Sequence, residues 1–501
     1  MSTSLLEFFA QQRPKSVFVS KAKVFHFCTV LNSARAKFRP MDTNFPITAQ
    51  IYRIAVRCLM ALLILPGAGA SAQGWELAFG GNKEDQGQAI VQSRDGGFML
   101  AGFSESFGAD NDLDIFVIKT DVDGRIQWQR VIDEGFIEKA SAILPARDNG
   151  YLIAGDYKRI PDEALDGYLV KIDDNGELIW SRLFGGDKDD QLFSVQLSED
   201  GGYILTGKTA SYGDGRGDMF LVKTDRQGLP KWIKNFGNPT GEDEGREIAV
   251  LSDGYLVMGN TYNSANQSND IGLWKIDFNG NQVWFKTFGT DQPDYGYGMV
   301  ANLDGTVTVA GYSGFNSDIT LLKIDANGAV RWWRTTGGPL ADQAYDLIQT
   351  QDGGYAVTGI TEVNETNINI ALIKYDNNGQ VMWSKNLGNS DQVDYGQSLV
   401  STEDGGFAIV GYNSLYTALV NDLTLVKTNG NGDTYSVYIR GNVFKDSNLN
   451  CRLNTGEAGL ENWLIRAESA ERTFVATTDA DGKFSILVDT GEYQVSLLRP
   501  N

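Results

Sequence analysis

The clearest metal-ligand spacing in the chain lies in Asp446-Ser-Asn448-Leu-Asn450-Cys-Arg452-Leu-Asn454-Thr-Gly-Glu457. Counted from Asp446, oxygen side chains fall at places one, three, five and nine, and Glu457 falls at place twelve. An EF-hand-type loop uses this spacing to wrap oxygens round one cation, with a backbone carbonyl, here that of Arg452, at place seven. The expected calcium ligands are therefore Asp446, Asn448, Asn450, Arg452, Asn454 and Glu457. Cys451 departs from the pattern at place six, where glycine makes the sharp turn, and so strains the loop. An asparagine-rich polar loop that binds nothing is the alternative. Extracellular sites of this type bind at ~10⁻⁴–10⁻³ M, so the calcium would be structural and would stiffen its segment.

The second candidate chemistry is that of paired carboxylates. Asp133, Glu134 and Glu138 stand together where a repeated motif breaks down, and two such groups could do acid–base work on a glycosidic bond. Drift on a solvent-facing loop explains the same residues. A further acidic residue recurs at Asp85, Asp190, Asp243, Asp294, Asp342 and Asp394. These six read either as a ring of cation ligands or, preferably, as Asx-type turns that satisfy backbone N–H groups.

Other chemistries are excluded by composition. His26 is the only histidine, and the three cysteines are Cys28, Cys58 and Cys451. His26, Cys28 and Cys58 lie in a front segment, residues 1–72, that reads as a leader. It carries nine Lys/Arg against Glu7 and Asp42, then the apolar run Cys58–Leu65, then Ala70-Ser-Ala72. That order is a charged region, an apolar core and a cleavage site, so a signal peptide starting at Met41 and cut before Gln73 is expected. An uncleaved anchor is the alternative, although the apolar run is short for a bilayer span. The mature chain then has no histidine and one cysteine, which excludes Ser-His-Asp and Cys-His catalysis, imidazole-based zinc sites and an internal disulfide. Net charge is −21 overall, and the basic leader accounts for part of the positive charge. Nucleic acid and anionic membrane are thus unsuitable partners.

The elements that must hold these residues come from a repeat. Trp recurs at 75, 128, 180, 232, 284, 332 and 383. The best copy runs Trp180-Ser-Arg-Leu-Phe-Gly-Gly, then Asp200-Gly-Gly-Tyr, then Lys223-Thr-Asp225. It contains four strand-like runs, Leu192–Leu197, Tyr203–Lys208, Met219–Asp225 and Lys231–Phe236, bounded by Gly/Asp/Asn clusters. No long helical period is present. A Gly inside the second run recurs at 102, 155, 207, 259, 311, 359 and 411, which marks a bulge or a crowded backbone, such as an axis where sheets converge. Lys-x-Asp recurs at 119/121, 171/173, 223/225, 275/277, 323/325 and 374/376. Residues two apart share one strand face, so these Lys and Asp are expected to pair.

Seven copies of four strands predict an all-β fold, a seven-bladed β-propeller over 73–432. The seventh copy lacks its own Trp strand, and the mature chain starts with one, Trp75–Phe79. That strand is expected to lie beside Leu423–Thr428 and close the ring, which removes exposed sheet edges. An open solenoid is the alternative. The recurring Trp residues are expected to pack between blades rather than to stack on sugars. Trp333 lies outside the pattern and is the better exposed aromatic. Arg216-Gly-Asp218 and the sequons at Asn266 and Asn364 are weak signals.

The Trp…Phe-Gly-Gly…Asp-Gly-Gly-Tyr…Lys-x-Asp pattern over residues 75–432 resembles the repeats of exported bacterial surface proteins, notably those of gliding Bacteroidetes-type organisms. The resemblance implies a propeller and an exported address, without an activity. A linker, 433–437, leads to residues 438–501, where Val437–Phe444, the Asp446–Glu457 loop, Thr478-Asp-Ala-Asp-Gly482-Lys-Phe and Gly491-Glu-Tyr-Gln-Val resemble the B-type domain of serine–aspartate-repeat adhesins. That resemblance implies a prealbumin-like β-sandwich with calcium loops, serving as a spacer on the cell surface, and here incomplete. The expected protein is a secreted or cell-surface, non-enzymatic adhesion protein. It would be monomeric, with no membrane insertion of the mature chain, and its partner would be a polysaccharide or a protein. The alternative is a carboxylate-dependent glycoside hydrolase or lyase.

Overall fold

The structure is a computed structural model that describes residues 15–19, 23–29, 74–108, 112–213, 215–364, 366–388, 392–415, 420–434, 437–445, 457–461, 463–468, 473–479, 481–488 and 491–498. The chain divides into two compact units, Ala72–Thr434 and Met1–Ser71 with Tyr435–Asn501. Among the described residues, all regular elements are strands. Among the described residues, no helix is long and apolar enough to cross a membrane.

The third copy shows how the repeat folds. Asp190–Leu197, Tyr203–Thr209, Asp218–Thr224 and Pro230–Phe236 pair antiparallel in that order. The Asp-Gly-Gly stretch makes the first hairpin. Gly201 adopts φ +81°, its N–H donates to Ser198 O at 3.0 Å, and Ser198 N–H donates to Gly202 O at 2.9 Å. Glycine takes this left-handed conformation without a Cβ penalty. The same four-stranded set begins at Asp85, Ile137, Asp243, Asp294 and Asp342 in the other interior copies. In the last set, Gln392–Ser401, Phe407–Leu415 and Asn421–Thr428 are joined by Trp75–Phe79. Trp75 stands opposite Lys427, and Phe79 opposite Leu423, where the phase of the repeat places them. One bridge, Ile368 to Val393, links the sixth and seventh sets.

The cores lie between neighbouring sets. Third strands such as Asp218–Thr224 are buried along their whole length, so apolar side chains on both faces pack against adjacent sheets. One cluster holds Trp75, Phe98, Leu100, Phe116, Val410, Leu423 and Leu425, residues of the first and last sets together. A Cβ on Gly87 of the first set would stand 2.5 Å from Val410 of the last. The first strand of each set also packs on the first strand of the next, and that of the seventh on that of the first.

The recurring Trp residues are packing groups. Trp75 of the seventh set meets Phe98 of the first at 6.3 Å, and Trp180 meets Tyr203 at 6.4 Å. Their rings also cover Gly124 and Gly228, where a Cβ would approach to 2.5 and 2.7 Å.

The Lys-x-Asp residues do not pair with each other, contrary to expectation. Each buried lysine reaches back to the Asp of the Asp-Gly-Gly hairpin or its equivalent: Lys119 to Asp95, Lys171 to Asp148, Lys223 to Asp200, Lys275 to Asp253, Lys323 to Asp304, Lys374 to Asp352 and Lys427 to Asp404. The Asp two residues on closes its own turn instead. Asp225 Oδ1 accepts N–H bonds from Gln227 at 2.8 Å and Leu229 at 2.9 Å. The strand has ended by then, so same-face geometry no longer holds.

In the other unit, Leu464–Glu468 pairs with Thr473–Thr477 and Gly491–Leu498, and Val437–Lys445 pairs with Lys483–Val488. Ile439, Val443, Phe484 and Ile486 share one core with Ile465, Ala467, Tyr493 and Val495. Lys15–Val19 adds antiparallel to Gly491–Leu498, and Lys23–Thr29 adds parallel to Val437–Lys445. These two strands fall inside the stretch read as a leader; their Val/Phe-rich sequences have strand chemistry.

Candidate functional site

The first strands carry the residues that differ most from copy to copy. Each contains a bulge, at Gly87/Ala89, Ala140/Ala142, Leu192/Ser194, Gly245/Glu247, Gly296/Gly298, Ala344/Asp346 and Gly396/Ser398. The recurring in-strand glycine faces this bulge. A Cβ on Gly207 would lie 1.8 Å from Gln191 O, and one on Gly259 1.7 Å from Glu244 O. The crowding expected at these glycines therefore comes from their own sheet, not from an axis.

A bulge re-aims the extra side chain. The residues skipped by the pairing are Gln88, Ser141, Phe193, Arg246, Tyr297, Tyr345 and Gln397. Several meet across set boundaries. The Arg246 guanidinium lies 4.3 Å from the Phe193 ring and 5.3 Å from the Tyr297 ring, and its Nε donates to Glu244 Oε1 at 2.7 Å. Tyr297 meets Tyr345 edge-on at 5.6 Å, and Tyr345 OH donates to Gln343 Oε1 at 2.7 Å. Tyr395 stacks on Tyr412 at 4.7 Å.

The residue after the bulge is Ala89, Ala142, Ser194, Glu247, Gly298, Asp346 or Ser398. Two of these are acids, from the fourth and sixth sets, with Gly298 of the fifth between them in sequence order. A Cβ on Gly298 would come within 3.0 Å of Asp346 Cα, so glycine leaves that space clear. Glu247 Oε1 accepts from Ser194 Oγ at 2.9 Å and Gln196 Nε2 at 3.3 Å. Asp346 Oδ2 accepts from Ser398 Oγ at 2.8 Å and Leu399 N at 2.9 Å. Both acids are half-buried. Burial pushes Glu247 up to about 7, and the Asp346 charge adds to the effect. Burial pushes Asp346 up to about 6. Asp156, buried under the same strands and bonded by Gln191 Nε2 at 2.9 Å, is also pushed up to about 6 by burial.

Such a surface offers aromatic faces, one cation, and acids that hold or release a proton near neutral pH. Hydroxyl-rich ligands use these groups. Glu247 and Asp346 escaped the sequence reading because they sit inside the first strand of copies that otherwise keep the pattern. Their signal was that positions three and four after the recurring acid are unlike between copies that otherwise agree.

The residues expected to act fare differently. Asp446, Asn448, Asn450, Arg452 and Asn454 lie outside the described residues. Glu457 is described and half-buried. Among the described residues, no three acidic, His or Cys side chains surround one point. Asp133 and Glu134 are exposed while Glu138 is fully buried, so the three do not form a facing pair. The register sets Glu138 against Tyr157 as Asp190 is set against Thr209, so Glu138 is the second copy's version of the recurring acid. That acid closes a corner: Asp190 Oδ2 accepts Gly186 N at 2.8 Å, and Asp85 Oδ2 accepts Gly81 N at 2.8 Å. Trp333 is half-buried and bonds Thr320 Oγ1 at 2.6 Å, so it is not an exposed aromatic. Asp218 is buried, which removes Arg216-Gly-Asp218 as a displayed tripeptide.

No family model matches the chain, and no curated protein matches it. Similar solved structures include the Kuenenia stuttgartiensis hydrazine synthase, 10% identical over 67% of this chain and 94% of that one, with a TM-score of 0.45. An ulvan lyase is 10% identical over 71% and 96%, with a TM-score of 0.46. The Neurospora crassa Pan2 WD40 domain is 10% identical over 71% and 96%, with a TM-score of 0.41. These likenesses are too distant to carry an activity to this chain.

Proposed function

We propose that residues 73–432 are a seven-bladed β-propeller closed by Trp75–Phe79, and that the protein is a secreted or cell-surface binding protein whose propeller takes a polysaccharide where the first strands converge. The observation that carries the reading is the variable set Phe193, Arg246, Tyr297 and Tyr345 on the bulges, beside Glu247 and Asp346. A repeat keeps its structural residues alike and varies those that meet a ligand. Closure is supported by the pairing of Trp75–Phe79 with Asn421–Thr428 and by the core shared between the first and last sets. The C-terminal segment is a β-sandwich spacer stiffened by calcium at Asp446–Glu457, and the mature chain is monomeric. A glycan array with the full chain tests this reading, with Tyr297→Ala as control. Polysaccharide binding that Tyr297→Ala lowers at least tenfold is expected. Binding that this variant leaves intact would place the ligand elsewhere.

A second reading, a carboxylate-dependent glycoside hydrolase or lyase, is favoured by the Glu247–Asp346 pair alone. Glu247→Gln would then abolish turnover of a bound polysaccharide and keep its binding. A wild-type chain that binds the polysaccharide and leaves it uncut removes this reading.

A further inference from the structure

The boundary between the second and third sets carries a charge pattern that the boundary before it does not. At both, an arginine of one hairpin reaches the next hairpin. Arg94 Nη2 donates to Ala146 O at 3.5 Å, and Arg147 Nη2 donates to Ser198 O at 3.4 Å. At the earlier boundary the guanidinium finds a further acceptor, because Arg94 Nη1 donates to Asn149 Oδ1. Asn149 holds the place that Gly96 and Gly201 take in the neighbouring hairpins, with φ +73°, a conformation that Asn adopts more readily than most residues. Asp174 supplies a negative charge there: it accepts Gly150 N–H at 2.9 Å and lies near the same Tyr151 as Arg94.

At the later boundary both compensations are replaced. Gly201 stands in the place of Asn149, and Arg226 in the place of Asp174. Arg226 Nε lies 2.6 Å from where a Cβ on Gly201 would be, so its guanidinium covers the hairpin. Arg147 and Arg226 line one cavity of about 420 Å³ with Asp148, Gly201, Tyr203 and Gln227. Asp148 is the one acid among these six; Lys171 bonds it, and Arg226 adds a smaller attraction. Asp200 of the adjoining hairpin is held by Lys223 and Lys231. Two guanidiniums therefore share one space in a chain whose net charge is −21. No other copy has a cation at the Arg226 place, where Val122, Asp174, Phe278, Ala326, Asn377 and Gly430 stand. Like charges brought together cost stability unless a counter-charge enters between them.

We propose that this cavity binds a sulfate or phosphate monoester, with Arg147 and Arg226 holding its oxygens. A guanidinium presents parallel N–H donors in a fixed fork. A carboxylate has two oxygens, which one fork satisfies, whereas a tetrahedral ester has three terminal oxygens and can serve two forks. The volume lies in the range of pockets that take a small organic molecule, so there is room for the sugar or alcohol that carries the group. Gln227 adds an amide to meet its hydroxyls. The hairpins lie at the far end of the first strands from the recurring acids, so this site stands independently of the reading of the bulge surface.

The test is isothermal titration of the full chain, at low ionic strength to limit screening, with glucose 6-sulfate, glucose 6-phosphate, glucuronate and glucose. At least one of the two esters should bind saturably at millimolar concentration, and the ester that binds names the source of the group. Glucuronate should bind about tenfold more weakly, and glucose should give no signal. Arg147→Gln and Arg226→Gln should each weaken ester binding about tenfold or more, the loss of a charge-assisted hydrogen bond. Arg226→Asp, which restores the charge pattern of the earlier boundary, should abolish it. Arg94→Gln should leave it unchanged. The three arginines are exposed, so these variants keep the fold. Failure of both esters to bind would overturn the proposal. So would ester binding that glucuronate or glucose matches, that survives Arg226→Asp, that Arg147→Gln leaves intact, or that Arg94→Gln weakens as much as Arg226→Gln does.

Discussion

Replacing Glu247 with Gln should stabilise the protein at pH 8 and do much less at pH 5. The carboxyl has an ordinary value of 4.5 and is pushed up to about 7 in the fold. A raised acid costs stability wherever the unfolded chain is ionised and the fold resists ionisation. Stability therefore falls as pH rises from about 4.5 to about 7 and then levels off. At about 1.4 kcal/mol per pKa unit, the ionised group costs the fold about 3 kcal/mol at pH 8 and about 1 kcal/mol at pH 5. The side chain keeps some access to water, so these are upper figures. Gln keeps an oxygen for the Ser194 and Gln196 donors and removes the charge that faces Asp346. Asp346, raised from 3.8 to about 6, titrates in an overlapping window, so part of the gain will appear as easier ionisation there. The assay is urea unfolding at 25 °C followed by tryptophan fluorescence, for parent and variant, at both pH values. An equal gain at pH 5 and pH 8 would refute the argument, as would a variant less stable than its parent at pH 8.

Three further outcomes follow from the repeat. Gly207→Ala puts a Cβ 1.8 Å from Gln191 O, so the bulge must open, and a loss of about 3 kcal/mol or more is expected in the same urea assay. Asp200→Asn strips the partner from the buried Lys223 ammonium, which is 2.7 Å from the carboxylate, and should cost about 1–3 kcal/mol at pH 7. Lys223 and Lys231 hold the Asp200 carboxyl far below the usual range. That contribution persists as pH falls through 4, so the parent–variant gap should survive at pH 4. Deleting residues 73–79 bares the edge of Asn421–Thr428 and uncovers Phe98. Self-association by light scattering, or loss of a cooperative melt, is expected. A shortened chain that stays monomeric and melts within ~2 °C of its parent would count against closure.

Much of the fold was legible because glycine and tryptophan report backbone constraints that one residue type satisfies. Gly201 marks a left-handed turn, Gly207 faces a bulge carbonyl, and Trp75 covers Gly124. The Lys-x-Asp partnership was misread for a physical reason. Spacing within a strand fixes which face a residue takes, but not whether the strand continues as far as the second residue. Lys223 lies at the end of its strand, so its partner is Asp200 from the hairpin beside it, while Asp225 has already entered the turn. The candidate site was less legible. Glu247 and Asp346 come from sets about a hundred residues apart, and their raised pKa values arise from burial that only the assembled sheets create.

The second copy shows why a broken repeat must be compared position by position. Asp133-Glu134-Gly-Phe-Ile-Glu138 looks like a lost Phe-Gly-Gly motif followed by stray acids. Once the register aligns Glu138 with Asp190, the recurring acid turns out to be present, one methylene longer. What differs is the hydroxyl opposite it, which bonds the acid at Asp85, Asp190 and Asp243. Asp114 keeps the place that Asp166 has beside Asp190 and Asp218 has beside Asp243, so the difference at this corner lies in the opposite residue, Tyr157 in place of Thr209. The same logic separates Glu247 and Asp346, which side-chain hydroxyls bond, from Glu138, which the Glu134 N–H bonds. The first two are suited to meet a neutral, hydroxylated ligand.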